Sequence, residues 1–295
     1  MKKWFLATRP WSFPNSVMIL LVSMSYMTLL EDVNVRWTWC FAAALCMLVF
    51  HAAANLLSSY YDFKTGVDRE DNAADRTLVS GAFRPRQIFT FGVILLLIGI
   101  LGGLVIAYAC SPAVLVIGAI GTVLSAAYSW LKYRAWGDLT IFLNFGLLPV
   151  LGISYVAFSQ FDPHLLLFSF TVGSIVVATL HANNTRDTQT DTRAGIRTFA
   201  SVIGHKASVV LYCAEVLLPY AIVLVSAICF RHLFTLVVLL SLPVAIKNAQ
   251  AMTRSKNDIK SIDNLDQATA MLTLQFGALL CIGYLAQYAF NTYVN

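Results

Sequence analysis

Residues 38–62 read TWCFAAALCMLVFHAAANLLSSYYD. The apolar part, near 38–59, has the length of one helix crossing a hydrocarbon core. Its closing turns are polar in a pattern: Asn55, Ser58, Ser59 and Asp62 fall at 0, +3, +4 and +7, which is one helix face. Asp68 follows in a charged loop. A second apolar run, near 164–182, closes in the same way with Asn183-Asn184-Thr185-Arg186-Asp187 and then Asp191. Asn183, Asp187 and Asp191 share a face, and Asn184 is expected to join them. Carboxylates at a membrane boundary are costly without metal, basic partners or water, so they mark a functional site. Two such clusters suggest a pair of Mg²⁺ sites gripping one polyanion, most simply a diphosphate.

The rest of the chain fits a polytopic, all-α membrane protein. It has 295 residues, 58% hydrophobic and only 12% charged, about half the charge of an ordinary soluble domain. Nine candidate spans lie near 13–30, 38–59, 88–109, 112–130, 139–158, 164–182, 207–228, 231–249 and 268–290. With the N-terminus inside and the C-terminus outside, all but two of the 20 Lys and Arg residues, Arg36 and Arg231, fall on the cytoplasmic side, a strong positive-inside bias. The net charge of +5 is spread over loops and gives no nucleic-acid patch. Residues 1–295 read as one domain, nine helices around a central cavity, built from two similar four-helix halves and an added ninth helix. The six cysteines form no Cys-x-x-Cys pair, so neither a disulfide framework nor a zinc site is expected. Residues 1–14 lack a cleavable signal pattern. The loop 60–87 is long enough to act as a lid.

At this point the chain resembles the UbiA-type intramembrane aromatic prenyltransferases. Within them it is most similar to the menaquinone branch, the 1,4-dihydroxy-2-naphthoate polyprenyltransferases, with the animal enzymes that form vitamin K2 alongside. The stretches that carry the likeness are Asn55 to Asp68, Asp75 to Val79, Lys132 to Leu139, Leu180 to Asp187 with Asp191, Ala194 and Gly195, and Arg9-Pro10-Trp11-Ser12. One departure stands out: the family's first motif usually reads Asn-Asp-x-x-Asp, and here Ser58-Ser59 replaces the Asn-Asp pair.

The resemblance implies transfer of a polyprenyl chain from its diphosphate to 1,4-dihydroxy-2-naphthoate, with loss of CO₂ and pyrophosphate, to give demethylmenaquinol. It implies two Mg²⁺ ions held by Asp62, Asp68, Asp187 and Asp191, with Asn55, Ser58, Asn183 and Asn184 as accessory binding residues. Arg9, Lys64, Lys132 and Arg186 are the expected diphosphate contacts, and Tyr128 the aromatic wall for an allyl cation. Partners are then a polyprenyl diphosphate, the aromatic acceptor and membrane lipid. A menaquinone pathway points to a prokaryotic cell membrane, with an organelle membrane as the alternative, and the long charged inner loops put the site on the cytoplasmic face. Other acceptors, menadiol or 4-hydroxybenzoate, stay open, as does a weakened protein that binds without turnover. An ion-coupled transporter is the competing class, with Glu215 its only midplane acid. Glu215 itself reads as an acid hydrogen-bonded within the bundle, and His181 as a satisfied structural histidine.

Overall fold

In the computed structural model the described residues are 2–30, 33–65, 77–193 and 195–293. Asp68, the loop acids Asp71 and Asp75, and the middle of the expected lid lie outside them. Among the described residues the protein is helical without strands; the one isolated bridge joins Arg134 and Arg197.

The main helices are α1 (Pro14–Met27), α2 (Trp37–Thr65), α3 (Pro85–Ala109), α4 (Ala113–Ala126), α5 (Gly137–Phe158), α6 (Pro163–Arg186), α7 (His205–Cys229), α8 (Leu233–Arg254) and α9 (Leu265–Tyr293). Seven are long and apolar enough to cross a membrane. The windows expected at 13–30 and 112–130 appear as α1 and α4, 14 residues each. At about 1.5 Å per residue such helices reach about 21 Å, short of a hydrocarbon core of about 30 Å. Prolines set where the first of these helices begins. Pro10 and Pro14 lack an N–H, so the N-terminal segment breaks into Lys2–Ala7, a 3₁₀ turn at Pro10–Ser12, and α1.

Helices α2 and α3 lie side by side, and α9 packs along α1, α6 and α8. The main core joins Ile19, Val22, Phe168, Ile175, Tyr212 and Phe276 across those helices. On α3, Ile94, Leu97, Leu101, Leu104 and Tyr108 are exposed. Their +3/+4 spacing makes an outward apolar stripe suited to lipid. Helices α5 and α6 cross at glycines: a Cβ on Gly173 would sit 2.9 Å from the Gly146 Cα. Gly146 lies in a π-helical turn, Leu143–Leu147, inside α5.

Polar ties sort the helix ends. At one end of the bundle the Arg36 guanidinium, at the start of α2, reaches the carbonyls of Cys110 after α3 and Ala157 in α5, and the Ser159 hydroxyl. At the other end the Arg9 guanidinium meets Ser59 near the end of α2. There Arg197 donates to the Tyr133 carbonyl, and Arg186 at the end of α6 donates to the Asp263 carbonyl before α9. Both acidic stripes sit at this second end.

Candidate active site

The first stripe follows from an unbroken α2. The helical turn at 55–62 keeps Asn55, Ser58, Ser59 and Asp62 on one face, as their spacing predicts. Ser58 Oγ donates to Asp62 Oδ2 at 3.1 Å. Ser59 is buried; its hydroxyl donates to the Asn55 carbonyl at 2.9 Å and accepts from Arg9 at 3.0 Å. Arg9 adopts a left-handed backbone, φ 54°, a strained state for a non-glycine residue, at the break that brings the N-terminal segment against α2. Asn55 donates to the Thr8 carbonyl and to Ser12 Oγ. One turn earlier His51, buried, bonds Ser16 at 2.8 Å and Ser12 at 3.2 Å. The network behind the stripe is therefore longer than the sequence motif. His51, four residues before Asn55 and on its face, was the signal for that extension. Lys64 is exposed, its Nζ 5.8 Å from the Tyr60 ring, so in this geometry it lies over an aromatic ring.

The second stripe straddles the end of α6. Asp187 leaves α-helical geometry, but the backbone ladder continues: Asp187 N–H donates to Asn183 O, and Asp191 N–H to Asp187 O at 2.9 Å. Asn183, Asp187 and Asp191 thus keep a common face. Arg186 grips the carboxylate of Asp187 with two prongs, Nε to Oδ1 at 2.8 Å and Nη2 to Oδ2 at 2.9 Å, and also meets Asn183 Oδ1 at 2.5 Å. Asp266 at the start of α9 stands 3.4 Å away. The guanidinium expected on a diphosphate is here the clamp of its neighbouring carboxylate. Asn184 departs from the stripe. It is buried, and its Nδ2 donates to Asp138 Oδ1 at 3.2 Å. At about 100° per residue it lies a quarter-turn round the helix from Asn183.

A short helix, Tyr128–Lys132, stands between the stripes. Tyr128 is within electrostatic reach of Asp62 and Asp138, and Lys132 within reach of Asp191. The two residues are one turn apart, so a single helical face looks toward Asp62 of the first stripe and Asp191 of the second. Burial pushes the Asp191 carboxyl up, Lys132 opposes that rise, and Asp187 adds to it. Asp62, Asp187 and Asp191 offer oxygen donors only and are each partly buried. That chemistry suits a hard divalent cation which keeps water and ligand oxygens in its shell.

Asp138, at the start of α5, carried no role in the sequence reading beyond its place in the Lys132–Leu139 stretch. It accepts from His181 Nδ1 at 2.5 Å and from Asn184. The partner of His181 lies 43 residues away, which no local spacing reveals.

The chain is similar to known proteins in sequence and in fold. The sequence profile of the UbiA prenyltransferase family matches residues 16–265. The chain is 33% identical over 290 residues to UbiA prenyltransferase domain-containing protein 1 of Gallus gallus, covering 94% of this chain and 83% of that protein. It is 32% identical over 292 residues to the Homo sapiens protein of the same name, with coverage of 94% and 82%. Among solved structures, the apo structure of a UbiA homolog from Aeropyrum pernix K1 superposes with a TM-score of 0.66 at 14% identity, over 90% of this chain and 97% of that one. A structure of digeranylgeranylglyceryl phosphate synthase gives 0.61 at 15% identity, over 97% of this chain and 100% of that one. These two likenesses concern the fold.

Proposed function

The chain belongs to the UbiA prenyltransferase family and is a prenyltransferase, and from that premise we propose that it transfers a polyprenyl group to 1,4-dihydroxy-2-naphthoate. Enzymes of the family join a prenyl diphosphate to an aromatic acceptor and are generally metal-dependent, which sets aside the transporter reading. The acceptor, the ion and the site residues are our own reading.

The observation that carries it is the helix Tyr128–Lys132 between two acidic stripes at one end of the bundle. Asp62 and Asp187 with Asp191 are the residues that would hold two Mg²⁺ ions, and Asp68, which lies outside the described residues, is the fourth carboxylate of this reading. When bound, those ions would neutralise charge developing on the leaving diphosphate. Lys132 and Arg9 add positive charge on the same side. Arg186 holds Asp187 in one rotamer, and Ser58 does the same for Asp62. Breaking the allylic C1–O bond sends the electron pair to pyrophosphate and leaves an allyl cation, which the Tyr128 ring faces. The acceptor ring then attacks C1 at its carboxylate-bearing carbon, and that carboxylate departs as CO₂ to restore aromaticity. The product is demethylmenaquinol.

The charge bias of the loops supports a cytoplasm-facing site with the N-terminus inside. The apolar helices fit an integral membrane protein. A prokaryotic cell membrane rests on the menaquinone reading alone, and the two proteins given above at about a third identity are animal proteins.

The test is an assay of the purified chain in detergent with 1,4-dihydroxy-2-naphthoate, geranylgeranyl diphosphate and Mg²⁺, followed by mass spectrometry. A prenylated, decarboxylated product supports the reading. Product from menadiol in a parallel tube, and none from the naphthoate, reassigns the acceptor.

A further inference from the structure

Helix α6 carries two polar faces. Asn183 and Asp187 form the first. The second, about a quarter-turn away, presents His181 and Asn184 toward Asp138 of α5 and Glu215 of α7. We propose that His181, Glu215 and the amide oxygen of Asn184, with Asp138 orienting the imidazole from its other nitrogen, form a second cation site, separate from the diphosphate site, that takes a divalent transition metal such as Zn²⁺.

Three observations converge. Asp138, His181 and Glu215 each bring one ligand-type atom to within 4.8 Å of the others, so the imidazole and both carboxylates form one cluster. Next, the hydrogen-bond bookkeeping is one-sided. Asp138 takes the donors of two neighbours, His181 Nδ1 at 2.5 Å and Asn184 Nδ2 at 3.2 Å. That fixes the imidazole tautomer with its lone pair on Nε2 and turns the amide oxygen of Asn184 outward from that bond. His181 Nε2, Asn184 Oδ1 and Glu215 Oε2 are all buried and all lack a hydrogen-bond partner, though His181 is 0% and Asn184 1% exposed. Three buried acceptors without a donor call for positive charge or donors. A proton on Glu215 answers one of them; a cation answers the group. Finally, there is a way in. A cleft of about 230 Å³, walled by Leu139, Phe142, Val177 and Phe199, has Asp138 and Glu215 on its lining.

An imidazole with a carboxylate favours Zn²⁺ or a neighbouring first-row metal over Mg²⁺. A carboxylate holding the far nitrogen of a ligating histidine is the usual orienting arrangement. The ion would tie α6 to α7, with α5 joined through Asp138, one to two turns below Asp187. The Gly146–Gly173 crossing, about two turns further along both helices, holds α5 and α6 close.

The experiment uses the full chain purified without a histidine tag, stripped with chelator, incubated with Zn²⁺, desalted, and read by elemental mass spectrometry. No diphosphate is present, which leaves the weaker oxygen site without its main ligand. Wild-type protein should retain about one Zn²⁺ per chain, and Asp187→Asn should retain the same. Glu215→Gln and His181→Gln should each lower the retained zinc at least about ten-fold, since loss of a ligand removes much of the affinity. Glu215→Gln is isosteric, and its thermal unfolding in detergent checks that it folds. Co²⁺ in place of Zn²⁺ should give visible d–d absorption that vanishes in the same two variants. No retained zinc in wild type, or equal retention in folded Glu215→Gln, overturns the proposal; a failure of prenyl transfer alone leaves these readouts unchanged.

Discussion

Replacing Arg186 by Lys keeps the charge and removes the fork. In the structure Arg186 makes two parallel bonds to Asp187, at 2.8 and 2.9 Å, and a third, at 2.9 Å, to the Asp263 carbonyl. An ammonium is a point charge and can hold one carboxylate oxygen, not the pair. Hydrogen bonds to charged groups contribute about 1.5–3 kcal/mol each when shielded. Exposed ion pairs contribute about 0.2–1 kcal/mol. The side chains of Arg186 and Asp187 are 20% and 34% exposed, so an intermediate value applies. Losing one prong and the tie to the α9 loop then costs about 2 kcal/mol in the positioning of Asp187. At 1.36 kcal/mol per decade that is about a 30-fold fall in kcat/KM for the prenyl diphosphate. Arg186→Gln should fall further, because Asp187 and Asp266 would then repel without a cation between them. The assay is steady-state pyrophosphate release in detergent, with the diphosphate varied at saturating acceptor. A kcat/KM for Arg186→Lys within about two-fold of wild type, with Asp187→Ala inactive, would refute the clamp.

Three other perturbations test separate parts of the account. Chelator should abolish turnover and added Mg²⁺ should restore it; activity that survives exhaustive chelation would remove the metal from the mechanism. Because burial raises the Asp191 carboxyl, its protonated form is favoured in the folded protein. Its contribution to stability is present below the ordinary carboxylate range and is lost as pH rises through the raised value. Turnover needs the ionised form, so the acid limb of kcat/KM should lie above the ordinary range and change shape in Asp191→Asn; an identical limb in the variant would assign it elsewhere. Gly173→Leu forces a side chain where even a Cβ would meet Gly146 Cα at 2.9 Å. Overpacking should cost about 1–3 kcal/mol, read as a lower unfolding temperature in detergent, and an unchanged temperature would mean that α5 and α6 separate freely.

The sequence carried the helices because apolar runs of about 20 residues have one reading in a chain this poor in charge. It carried the two stripes because Asn55 to Asp62 and Asn183 to Asp191 repeat at helical spacing. What it could not carry were contacts set by tertiary approach. Ser59 meets Arg9 across 50 residues and His181 meets Asp138 across 43. Arg186 illustrates a different limit. Residues i and i+1 do not face each other inside a helix, yet Asp187 sits where the helix ends, and its turned backbone brings the carboxylate back onto the preceding guanidinium. Nearness in sequence groups Asn184 with the stripe, but its burial against Asp138 sets it on another face. The shortness of α4 had no marker in the run Ser125-Ala126-Ala127-Tyr128, which stays apolar through the break.

The central claim is that both stripes hold one diphosphate. It is tested most directly by equilibrium binding of radiolabelled geranylgeranyl diphosphate to the purified chain with Mg²⁺, comparing wild type, Asp62→Ala and Asp187→Ala. The account predicts Mg²⁺-dependent binding that weakens at least about 100-fold in each variant, since each removes a ligand from a shared site. Wild-type affinity in either folded variant would contradict it.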